Sequence, residues 1–147
     1  MFASLLKRLT GPAQDPLPAT DARIALCALL VRLARSDGDY AAVEITTIDR
    51  IIAERYGLSG PEATALRHDA EALESEAPDT VRFTRAIKDA VPYEDRESVV
   101  SAAWHVVLAD GNRTDDEDAL MRMIASLLGV NDRDSNIARR KAGGQTS

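Results

Sequence analysis

Residues 25–34 read ALCALLVRLA, and residues 35–57 follow with RSDGDYAAVEITTIDRIIAERYG; residues 99–109 read VVSAAWHVVLA, and residues 110–129 follow with DGNRTDDEDALMRMIASLLG. Each pair opens with a stretch that is apolar nearly all round, the signature of a helix enclosed on several sides. An Asp-Gly pair then breaks the chain, Asp37-Gly38 in one case and Asp110-Gly111 in the other. Glycine follows the last turn because it takes the left-handed conformation at little cost. A glutamate stands seven residues after each Asp, Glu44 and Glu117, and an amphipathic helix and a glycine stop, Gly57 or Gly129, complete the unit. Ile48 corresponds to Met121 and Ile51 to Ile124. So many features recurring in one order mark a duplicated helix–loop–helix.

The remaining chain is also helical in pattern. Alanine-rich stretches dominate, aromatic residues are only 4%, and nothing alternates with period two for long, so the fold class is all-α. Phe2, Leu5, Leu6 and Leu9 lie at helical spacing beside Lys7 and Arg8, predicting a short amphipathic helix over 1–9. Gly11, Pro12, Pro16 and Pro18 predict a linker over 11–19. Thr20 and Asp21 offer N-caps for the first apolar helix. A helix over 42–56 should bury Ile45, Ile48, Ile51 and Ile52. Ser59 should cap the next, with Pro61 early and Ala63, Leu66, Ala70 and Leu73 as its stripe. A helix over 79–90 carries Phe83 and Ile87, with Val91 at its edge, and Pro92 opens the second half. Thr114 caps a helix bearing Leu120, Ile124, Leu127 and Leu128; Arg139, Arg140 and Lys141 mark a solvated helix end, and residues 142–147 a frayed tail. The expectation is one compact bundle of about seven helices with the two apolar helices at its centre.

Composition narrows the function classes. With 18 Lys+Arg against 24 Asp+Glu the chain carries a net charge of −6, which argues against a nucleic-acid partner. No apolar run approaches the roughly 20 residues needed to span a bilayer, and no signal-peptide pattern opens the chain. The single cysteine, Cys27, excludes an internal disulfide and a cysteine-based zinc site, and with it the reading is a reducing cytoplasm. Two histidines far apart, His68 and His105, leave little for histidine catalysis, so the chain is expected not to be an enzyme. Trp104 and Cys27 read as core residues, His105 as an interface histidine and His68 as solvated.

The doubled loops invite comparison with calcium-binding EF-hands. Glycine at the sixth position and glutamate at the twelfth fit. The first and third ligand positions would be Leu33 and Arg35 in one copy and Val106 and Leu108 in the other, none of which supplies a carboxylate. A conventional EF-hand is excluded.

The doubled pattern instead resembles the tellurite-resistance protein TerB family, over about 21–131, with LADGNRTDDEDALMRMIASLLGV the closest stretch and RSDGDYAAVE the more divergent. The resemblance implies a compact helical bundle over 20–141, an association with tellurite and stress-response systems, and metal binding by carboxylates of two acidic turns. The residues expected to serve are Asp37, Asp39 and Glu44 in the first turn and Asp110 and Glu117 in the second. All-oxygen ligands suit calcium, magnesium or manganese rather than zinc. Beside this stands a plainer reading, in which Thr114 and Glu117 form a capping box and Gly111 a helix C-cap. The first turn has Ala41 where a capping hydroxyl belongs, which leaves its carboxylates with less to do in capping. The alternative function is a metal-free module that docks another protein, or a membrane-associated one, through an apolar face or the N-terminal helix. Oligomeric state is open at this level.

Overall fold

The computed structural model describes residues 19–36, 38, 40–76, 80–109 and 114–143. Seven α-helices occur among them: α1 Ala19–Arg35, α2 Ala42–Tyr56, α3 Gly60–Glu76, α4 Thr80–Ala90, α5 Arg96–Val107, α6 Asp115–Leu127 and α7 Asp132–Ala142. A single 3₁₀ turn, Tyr93–Asp95, leads into α5. The expected N-terminal helix over 1–9 and the tail beyond 143 lie outside the described residues.

α1 begins at Ala19, ahead of Thr20 and Asp21, so those two residues occupy its first turn rather than its cap. From Ile24 to Ala34 every residue except Arg32 is buried. A helix sealed on all sides must be the axis of the bundle, and α1 indeed packs against α2, α3, α4, α5 and α6. Ala25, Cys27, Ala28 and Ala34 keep its surface narrow where neighbours approach. Leu26, Leu29, Leu30 and Leu33 fill the space between them. Each such leucine contributes roughly 1.5–3 kcal/mol by leaving water. α5 is the second axis: Val99, Val100, Ala103, Val106 and Val107 are buried, and the helix touches α1, α2, α6 and α7. The duplication thus places its two apolar helices side by side at the centre.

The surrounding helices follow their sequence stripes closely. α2 buries Ile48 and Ile52, with Ile51 half-buried against the core; Ile45 is also only half-buried, outside that cluster. α2 ends where Gly57 adopts φ 65 and donates its N–H to the Ala53 carbonyl. α3 starts from a reciprocal cap: Glu62 donates its N–H to Ser59 Oγ at 3.3 Å, and Ser59 donates its N–H to Glu62 Oε1 at 2.8 Å. α4 buries Thr84, Ala86 and Ile87. α6 buries Met121, Ile124 and Ala125, while Leu120 and Leu127 sit only half-buried. α7 is capped by Asn131, whose Oδ1 accepts the Asp134 N–H at 2.8 Å, and it runs through Ala142, which packs half-buried against the core. No helix of the described residues is long and apolar enough to cross a membrane.

Candidate functional site

The two turns between apolar and amphipathic helices are the sites singled out by sequence. Asp37, Asp39, Asp110 and Gly111 lie outside the described residues, so the geometry concerns Glu44 and Glu117. Both sit at the third position of their helix, and both side chains are fully buried. Glu44 Oε1 accepts the N–H of Ala41 at 3.0 Å, and Glu117 Oε1 accepts the N–H of Thr114 at 3.0 Å. Ala41 and Thr114 have the same extended backbone, φ −74 and ψ 153 against φ −98 and ψ 161. The two copies therefore agree in the bond from the cap N–H to the glutamate.

They differ in the other half of the box. Thr114 Oγ1 accepts the Glu117 N–H at 3.1 Å, which completes the reciprocal cap expected from the sequence. Ala41 has no such acceptor, and the Glu44 N–H turns to the Ala41 carbonyl at 3.0 Å instead. The absent hydroxyl does not release Glu44 from capping, contrary to the sequence expectation. A carboxylate three residues into a helix finds the N-cap N–H whatever side chain the cap carries.

Residues that sequence reasoning passed over anchor the far side of the first turn. Tyr40 donates its hydroxyl to Glu71 Oε2 at 2.7 Å. Arg67 donates to the same oxygen at 2.8 Å and to Asp49 Oδ1 at 2.6 Å. Burial acts to raise the Glu71 pKa, but the hydrogen bonds from Tyr40 and Arg67 and the charges of Arg67 and Arg35 hold it below the usual carboxylate value. Burial and the adjoining Glu71 together push the Tyr40 hydroxyl well above its ordinary range. At the end of α1, Arg35 and Arg32 both grip Glu74, at 2.6 and 3.1 Å, and Arg32 also donates to the Glu74 carbonyl at 3.0 Å. The Arg35 guanidinium lies 4.9 Å from the Tyr40 ring centre. One signal for this network was present: Arg67 stands on the stripe of Ala63, Ala70 and Leu73, and a cation on a buried stripe needs acids beside it.

The remaining candidates fall into place one by one. Cys27 is fully buried, and burial pushes its thiol pKa far up, which removes it as a nucleophile. Trp104 is a core residue whose indole N–H donates to Ser135 Oγ at 3.1 Å. His105 is half-buried, and burial together with Arg50 lowers its pKa against the opposing pull of Glu54. His68 is exposed. Among the described residues no three Asp, Glu, His or Cys side chains converge as metal ligands; Asp37, Asp39 and Asp110 are not among them.

Comparison with known proteins identifies the family. The family model described as Tellurite resistance protein TerB matches residues 23–140, which takes in all or most of every helix from α1 to α7. No curated protein and no solved structure matches the chain. The chain belongs to the TerB family.

Proposed function

Starting from that membership, we propose that the chain is a non-enzymatic binding module whose two acidic turns take a hard divalent cation. The observation that supports this most directly is the repeated buried glutamate. Both copies place a fully buried carboxylate at the corresponding point, Glu44 and Glu117. Each holds the N–H of its cap residue through Oε1. The chemistry of the donor set fits: Asp37, Asp39 and Glu44, and Asp110 and Glu117, supply only oxygen. Such a set suits calcium, magnesium or manganese. A bound cation would neutralise each turn and stiffen the junction between the apolar helix and the one that follows it. The link to tellurite and stress rests on the family, and a protein partner on the turns' charge.

Calorimetric titration of chelator-stripped protein with calcium, magnesium and manganese tests the reading. A saturable heat is expected, and cation at about 100 times its dissociation constant should stabilise the fold by roughly 2.7 kcal/mol. Glu117→Gln retains the oxygen that accepts the cap N–H but loses the charge, and Asp110→Asn keeps turn propensity; both should abolish the gain at the second turn. Glu44→Gln and Asp37→Asn make the same test at the first. A protein indifferent to all three ions at millimolar concentration overturns the cation reading and leaves the turns as a charged docking face.

A further inference from the structure

Away from both glutamates, a cleft of about 350 Å³ opens between α5, α6 and α7. α7 contributes Asp132, Ser135, Asn136 and Arg139, which share one helical face at spacings of three, four and seven. α6 contributes Asp118 and Arg122, four residues apart, and α5 contributes Trp104 as the floor. The floor is pre-formed: the indole N–H is held by Ser135 Oγ, and the Arg139 guanidinium lies 6.0 Å from the ring centre. Arg122 is exposed, and no ion pair within the described residues engages it or Arg139.

Among the described residues the lining sets the guanidinium groups of Arg122 and Arg139 beside the Asp132 carboxylate. A dianion such as phosphate would meet Asp132 as well as the arginines, and a simple cation would meet Arg122 and Arg139. A molecule carrying both charges meets neither conflict. Guanidinium groups bind carboxylates through paired N–H donors, the exposed Asp132 can accept from an ammonium group, and the Asn136 amide both donates and accepts. The volume is at the small end of ligand sites, right for one compact molecule. We propose that this cleft binds a small zwitterion of the amino-acid type, its carboxylate on Arg122 and Arg139 and its ammonium on Asp132.

Trp104 is the only tryptophan in the chain, so its fluorescence reports on the cleft without a label. Titration of the full chain with free amino acids bearing apolar, acidic and basic side chains should give a saturable change for at least one. The N-acetylated and the amidated forms of that amino acid should each bind about tenfold or more weakly, since each lacks one charge-assisted contact. Arg122→Gln, an exposed change that leaves the helical circular dichroism intact, should weaken binding to a similar degree, and Arg139→Gln likewise. No saturable response up to millimolar concentration overturns the proposal. So does a response that inorganic phosphate or the capped forms reproduce equally, or one that Arg122→Gln leaves unchanged.

Discussion

Arg67 is the residue on which the first half of the molecule is most exposed to error. It is nearly buried, yet its charge is balanced by Asp49 and Glu71, and Tyr40 ties the loop to the same acid. Arg67→Met would leave two carboxylates facing each other without a cation. Breaking a fully enclosed pair costs about 3–5 kcal/mol; Asp49 keeps 27% of its side chain exposed, so a loss of about 2 kcal/mol is expected at neutral pH. Acid should act through the same group. The Glu71 carboxyl is held below its ordinary value, so the stability it supplies is complete above the unfolded pKa of about 4.5 and disappears as pH falls through the folded one. Urea unfolding from pH 7 to pH 3 should show this acid limb in the parent and a flatter one in Arg67→Met. An equally steep limb in both would assign acid sensitivity to other carboxylates. None of this network is spelled out along the chain except the lone cation on the α3 stripe; which acids reach it depends on how α2 and α3 meet.

At the scale of helices, the duplication left two N-termini that are alike in backbone and unlike in side chain. Thr114 makes a full capping box and Ala41 half of one. Thr114→Ala should cost about 1 kcal/mol, and Ala41→Ser, at a half-exposed position already in the capping conformation, should gain about 0.5–1 kcal/mol. Thermal melts of the two single variants and the parent check both signs, and a neutral Ala41→Ser would mean that the first turn withholds the Glu44 N–H. Helix ends of this kind were the most legible part of the sequence. Gly57, the Ser59-Pro61 start and the Thr114 cap act over three or four residues, a range within which neighbours in sequence are neighbours in space. α5 starts earlier than its apolar run, because its first turn holds the half-buried Arg96 and the exposed Glu97 and Ser98, which carry no hydrophobic signal.

For the molecule as a whole, the all-α class and the two central helices could be read from composition and from the doubled pattern, since a helix apolar on every side has no other place to go. The cleft could not, because its lining comes from three helices and its charges look like ordinary solvated faces on each. The same central pair has a further consequence for how the fold comes apart. Cys27, the lone thiol, lies fully buried in α1, and Trp104, the lone indole, lies in α5. Each copy of the repeat thus carries its own natural probe, one chemical and one optical. Domains under about 150 residues usually unfold all or none, and α1 and α5 touch directly. Thiol labelling and indole emission, followed through the same urea series, should therefore trace one transition. Two separated midpoints would reveal that the ancestral halves still melt as independent units, and that their union is a matter of adjacency rather than cooperation.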